Sequence, residues 1–176
     1  MNVAAQYAPP LGGRNASLSF RRPAKADGEK IRRLIKSCPP LDENSLYCTF
    51  LQCTHFADSC VVAERSGEIV GWVSGYFLPD DPQTLFIWQV AVAPSARGLG
   101  LGKEMIVALL SAGGQQAGRL QTTITPSNKA SWAVFASLAR ALNAPMSEEA
   151  FLDREADFNG RQETERLVTI GPFAAA

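Results

Sequence analysis

A chain of 176 residues that is 46% hydrophobic, with 17 basic and 17 acidic side chains, is long enough for one domain whose core needs no staples. That balance supplies no basic face for nucleic acid, and no apolar run approaches the roughly 20 residues that span a bilayer. Residues 1–16 lack a basic start followed by an apolar stretch. They are expected to form a flexible tail rather than a secretory signal, ahead of a single domain over 17–176 in the cytoplasm.

Residues 18–22 alternate enough for a first strand. Asp27 stands where it can cap a helix whose Ile31, Leu34 and Ile35 fall on one face, and Cys38-Pro39-Pro40 ends it. Polar residues Asp42, Glu43, Asn44 and Ser45 then lead into a short helix carrying Leu46, Tyr47, Phe50 and Leu51. As local structure alone, Asp42, Asn44 or Ser45 is its cap. The four cysteines, Cys38, Cys48, Cys53 and Cys60, cluster here with the only histidine, His55. Structural zinc sites pair ligands at short Cys-x-x-Cys spacings, which these gaps do not repeat, so no metal is expected. The thiols read as reduced and packed, and His55 as a structural hydrogen-bonding residue.

Residues 60–64 and 69–77 read as strands joined through Ser66-Gly67, and Pro79-Asp80-Asp81-Pro82 turns into a strand over 84–92. These central strands are near-continuous apolar runs, so helices are expected on both faces. Met105, Ile106, Ala108, Leu109 and Leu110 mark a helix, and 120–125 a strand stopped by Pro126. Ser127 or Asn128 then opens a helix to about 142; residues 146–162 are acidic and read as irregular, and 167–170 as a last strand. This order predicts an α/β domain with a mixed central sheet.

Between the strand over 84–92 and the next helix lies Arg97-Gly98-Leu99-Gly100-Leu101-Gly102-Lys103. Glycines let backbone approach a ligand closely, and the first N–H groups of a helix have no intrahelical partner, so this string reads as a phosphate cradle. A P-loop would need Gly at Arg97 and Ser or Thr at Glu104. A dinucleotide fingerprint would need Gly at Lys103 and an acidic residue about 20 positions on, yet no Asp or Glu occurs over 105–147. That window does hold Arg119, Lys129 and Arg140, a cation bias suited to a polyanionic cofactor.

The spacing Arg97, Gly100, Gly102 resembles the pyrophosphate loop of the GNAT N-acetyltransferases, with Trp88-Gln89-Val90-Ala91-Val92 resembling the strand that precedes it. Further motifs, Leu41-Asp42-x-Asn44-Ser45-x-Tyr47, Cys60-Val61-Val62-Ala63-Glu64, the run from Thr122 through Pro126-Ser127-Asn128 to Ser131, and Ile170-Gly171-Pro172, resemble the diaminobutyrate acetyltransferases of ectoine biosynthesis. The resemblance covers about residues 18–172. It implies a GNAT fold with splayed central strands, acetyl-CoA as co-substrate, the 4-amino group of L-2,4-diaminobutyrate as acceptor, and a homodimer. It implies cofactor contacts at Val90, Ala91, Val92, Arg97, Gly98, Leu99, Gly100, Leu101, Gly102, Lys103 and Asn128. The implied acceptor residues are Asp42, Asn44, Tyr47, Trp88, Glu163 and Glu165, with Asp42, Tyr47 and Glu165 as the candidates for chemistry.

One position departs from the broader family pattern. Many acetyltransferases of this kind place a tyrosine seven residues after the helix-opening asparagine, to protonate the leaving thiolate; here that position is Phe135. Tyr47 and Ser131 are the alternative donors, or the thiolate leaves unassisted.

Overall fold

A computed structural model describes residues 6–7, 18–112 and 117–173. The tail expected over 1–16 therefore lies outside the described residues, apart from Gln6–Tyr7. The described residues form two compact units, one drawn from 1–76 and 89–114, the other from 77–88 and 115–176.

In the first unit, β1 (Gln6–Tyr7), β2 (Leu18–Arg21), β3 (Val61–Arg65) and β4 (Glu68–Leu78) hydrogen-bond in that order, each pair antiparallel. Ser66 and Gly67, at φ 54° and 80°, make the tight turn between β3 and β4. Opposite β3, the register skips Val70, so β4 carries one extra residue there. The bulge puts Ile69 on the same face as Trp72, three positions on, where strict alternation would oppose them. Both join the apolar cluster formed with Ile31, Leu34 and Ile35 of α1 (Gly28–Lys36). α2 (Leu46–Gln52) follows α1, and Cys53 after it enters the same cluster. Gly71 and Ala63 lie on the opposite face, where a Cβ on Gly71 would stand 2.6 Å from Met105 Sδ of α3 (Leu101–Leu110). Helices thus cover both faces of this half of the sheet.

Asp27 is not a side-chain cap of α1. Its carboxylate accepts from Arg21 at 2.7 and 3.0 Å and from the Ala24 N–H at 2.7 Å, while Arg21 also donates to Glu64. A guanidinium six residues upstream outcompetes the helix end because its paired N–H groups match the carboxylate's two oxygens. Burial pushes the Asp27 carboxyl up, but the Arg21 and Ala24 hydrogen bonds outweigh it and hold the group below the ordinary carboxylate range. A depressed acid stabilises the fold above its unfolded pKa, near 3.9, and that contribution is lost as pH falls through the folded value. Arg21→Met is expected to cost about 2–4 kcal/mol in urea denaturation at neutral pH, and less in acid, because it strands a buried carboxylate.

In the second unit, β5 (Asp81–Val92, running on into the first unit from Gln89) is followed by β6 (Arg119–Ile124), β7 (Met146–Leu152) and β8 (Glu165–Ile170), in the order β5-β6-β8-β7. β5 and β6 are parallel and the other pairs antiparallel, which makes the sheet mixed. α4 (Lys129–Ala141) buries Phe135, Leu138 and Ala139. The stretch over 146–162 is not irregular throughout: its first seven residues are β7, paired along β8.

Candidate active site

The first unit carries the glycine loop. β5 ends at Val92, the chain turns through Pro94–Ala96, and Gly98 and Gly100 adopt φ 78° and 77°. Only glycine holds this conformation without strain, and a Cβ at either position would meet nothing within 4 Å. The space above the loop is therefore open. Gly100 is the N-cap of α3, and Glu104 N–H donates to its carbonyl at 3.1 Å. The N–H groups of Leu101, Gly102 and Lys103 thus precede the first intrahelical bond and carry the positive end of the helix dipole. Polyanionic phosphate fits that chemistry. Leu99 stands exposed at the loop's crest.

The surrounding residues divide the work. Arg97 Nε donates to the Val92 carbonyl at 3.2 Å and Cys38 Sγ to the same oxygen at 3.3 Å. Of the strand residues expected along a cofactor arm, Val92 therefore has its carbonyl committed, and Arg97 closes the loop onto the strand. Ala91 is fully buried and belongs to the apolar cluster that includes Ile31 and Leu34 of α1.

The segment before α2 is in the same unit. Ser45 is the cap: its Oγ accepts from Cys48 N–H at 3.1 Å. Asp42 and Asn44 are free of that duty. The Asp42 side chain is exposed, and Tyr47 on the first turn of α2 is 72% exposed. What ties the segment down is a residue to which the sequence gives no role beyond its place in a strand motif. Gln89 of β5, 7% exposed, donates Nε2 to the Asp42 main-chain carbonyl at 2.9 Å. Its Oε1 is buried with no partner among the described residues, a state that costs about 1–3 kcal/mol.

The second unit holds the remaining candidates. The ladder between β5 and β6 runs from Thr84 opposite Arg119 to Phe86 opposite Gln121. At the next step Thr122 Oγ1 donates to the Ile87 carbonyl at 2.9 Å. Trp88 is half exposed, and Asn128 is the N-cap of α4, accepting from Ser131 N–H at 3.1 Å. Trp132 Nε1 donates to the Thr125 carbonyl at 3.1 Å, fixing the start of α4 to the end of β6. Ser127 Oγ donates to Glu163 Oε1 at 2.7 Å, which brings Glu163 to the turn before Asn128; Glu165 is the first residue of β8 and partly exposed. Phe135 is a core residue, 3% exposed.

The cysteines are all free thiols. Cys38, Cys53 and Cys60 belong to the apolar cluster of the first unit. Burial pushes the thiols of Cys53 and Cys60 up to about 12 and raises that of Cys48 as well. A thiol so placed is a poor nucleophile at neutral pH, because the thiolate is the reactive form. His55 lies exposed beyond α2. Among the described residues, no group of three His, Cys, Asp or Glu could hold a metal ion, nor is any helix long and apolar enough to cross a membrane.

The chain is similar to known proteins along most of its length. The chain is 46% identical over 159 residues to an L-2,4-diaminobutyric acid acetyltransferase of Methylotuvimicrobium alcaliphilum, covering 90% of this chain and 92% of that one. A protein of the same name from Halomonas elongata is 44% identical, covering 93% and 85%. Among solved structures, a diaminobutyrate acetyltransferase of Paenibacillus lautus, in complex with its substrate L-2,4-diaminobutyric acid and coenzyme A, superposes with a TM-score of 0.86 at 37% identity, covering 90% of this chain and 97% of that one. Residues 28–139, from the start of α1 through the glycine loop and into α4, match the acetyltransferase (GNAT) family. With that family matched over more than half of the residues and relatives 46% and 44% identical along most of its length, the chain belongs to the acetyltransferase (GNAT) family.

Proposed function

We propose that this protein transfers the acetyl group of acetyl-CoA to the 4-amino group of L-2,4-diaminobutyrate, a step of ectoine biosynthesis and so of osmoprotection. The observation that carries the reading is near-full-length similarity to proteins of that name, one of them solved with both diaminobutyric acid and coenzyme A. The geometry agrees: an open cradle for phosphate lies on the same unit as an exposed carboxylate, Asp42, that helix capping leaves free.

The chemistry assigns the roles. An alkylammonium has no lone pair, and with a pKa near 10.4 only about 1 in 10³ is neutral at pH 7, a penalty of roughly 4 kcal/mol. The acceptor must lose that proton. Asp42 pairs with the ammonium, Asn44 and Tyr47 hold the amino-acid head, and Trp88 walls the methylene chain. Glu165 is the proton acceptor, directly or through water, and Glu163, held by Ser127, adds negative charge. As the thioester C–S bond breaks and the C–N bond forms, the thiolate takes its proton from Tyr47 or Ser131 or leaves unassisted, since Phe135 has none to give. Leu99, Leu101, Gly102 and Lys103 hold the pyrophosphate through backbone N–H groups, with Gly98 and Gly100 leaving room and Arg97 steadying the loop. Val90, Ala91, Val92 and Asn128 flank the cofactor arm. Four free cysteines suit the reducing cytoplasm, and a homodimer is the commonest symmetric assembly.

Release of free coenzyme A is the test, with diaminobutyrate, ornithine and lysine as acceptors. Turnover of diaminobutyrate with acetylation at N4 is expected; no turnover of any amine beside intact acetyl-CoA binding would leave a non-catalytic binding module. Transfer is direct. Replacing all four cysteines by Ala or Ser is expected to lower stability yet retain turnover, because three are buried in the core and none lies in the loop. Mass spectrometry after mixing enzyme with acetyl-CoA alone checks this, and an acetyl-cysteine required for activity would refute it.

A further inference from the structure

We propose that Gln89 is a positioning residue for the transfer, fixing residues 42–44 and so the reach of the acceptor amine. The inference rests on the functional reading above.

Gln89 is an amide on an apolar face. It lies two positions before Ala91, hence on the same side of β5, and Ala91 belongs to the cluster containing Ile31, Leu34 and Trp72. If Gln89 served only to fill the core, an apolar side chain of equal length would serve better, because it would remove the orphaned Oε1. One use of the amide is visible: its Nε2 holds the main-chain carbonyl of Asp42, 47 residues earlier in the chain.

The segment it holds has little else to hold it. Residues 42–44 belong to no helix or strand. They are flanked by the Leu41 N–H bond to Cys38 and by the Ser45 cap of α2. Among the described residues, the bond from Gln89 is the one hydrogen bond made to residues 42–44. It goes to main chain, so it sets position while leaving the Asp42 carboxylate open to an ammonium group. The strand that leads into the glycine loop therefore also anchors the acceptor segment, giving cofactor and amine a common reference.

The test uses Gln89→Met, which keeps length and removes both polar atoms, and Gln89→Glu, which keeps shape and removes the donor. Both are expected to lower kcat/KM for diaminobutyrate about 10- to 100-fold, with acetyl-CoA affinity by calorimetry unchanged. The preference for diaminobutyrate over ornithine is expected to shrink by a similar factor, since a loosened segment no longer rejects the longer chain. Partial unfolding would scale both amines alike and leave that ratio untouched, so the ratio separates positioning from stability. Hydrogen exchange is expected to quicken at Glu43 and Asn44 but not at Ile31 or Leu34. A wild-type ratio in folded Gln89→Met and Gln89→Glu, or failure of both to fold, would overturn the proposal. If the wild-type enzyme itself does not acetylate diaminobutyrate, the functional reading fails first and this inference with it; wild-type turnover with an unaltered ratio in the variants removes the role of Gln89 alone.

Discussion

Gly100→Val is expected to weaken acetyl-CoA binding by about 10²-fold or more, read by calorimetry. Two effects combine there. A β-branched residue at φ 77° is strained by about 1–2 kcal/mol, and the loop relieves the strain by turning the N–H groups of residues 101–103 away from the phosphates. Losing two charge-assisted hydrogen bonds at about 1.5–3 kcal/mol each accounts for the affinity. Gly67 supplies a control within the same unit: φ is 80°, a Cβ would likewise meet nothing within 4 Å, and the residue belongs to the turn between β3 and β4. Gly67→Val is expected to lower Tm much as Gly100→Val does while leaving acetyl-CoA affinity intact. Unchanged affinity in Gly100→Val would remove the cradle assignment.

The loop is legible in the sequence because its requirements are local: positive φ at two positions and a helix start directly after them. α1 is legible for the same reason, through three apolar residues at helical spacing that are all buried. Features that depend on distant partners are not. Asp27 reads as a cap until Arg21, which it shares with Glu64 of the neighbouring strand, is seen to hold its carboxylate. β7 gives no periodic signal because nearly all its residues are exposed, so no alternation is selected on either face. Asp42, Asn44 and Ser45 are equally good caps by residue type, and only the Ser45 contact with Cys48 N–H decides among them. Gln89 sits in an apolar strand motif that explains itself without it, and its partner is a backbone oxygen, which leaves no mark on the sequence. Acceptor geometry is therefore the part of the site least visible before folding.

That geometry makes Asp42→Asn an unusually clean substitution. The helix cap is Ser45, so α2 keeps its N-terminus, and the bond from Gln89 goes to the main-chain carbonyl of residue 42, which the change leaves in place. Only the negative charge is withdrawn. Removing it from an ammonium partner is worth about 2 kcal/mol once bound substrate and cofactor shield the pair from water, so kcat/KM for diaminobutyrate is expected to fall about 30-fold. Acetyl-CoA affinity is expected to stay the same, because the glycine loop is untouched. Chain length supplies the second axis of the experiment. Diaminobutyrate places two methylenes between its head group and the reacting nitrogen, ornithine adds one more, and an error of about 1 Å can cost on the order of 10²-fold in rate. The wild-type enzyme is therefore expected to prefer diaminobutyrate clearly over ornithine and lysine, with NMR placing the acetyl group on the terminal nitrogen. Asp42→Asn is expected to lower diaminobutyrate turnover while the segment, still held by Gln89, continues to disfavour the longer amines. Equal rates for all three diamines in the wild type, or full activity in Asp42→Asn, would take Asp42 out of the acceptor site and return the choice of amine to the residues of the second unit, Trp88, Glu163 and Glu165.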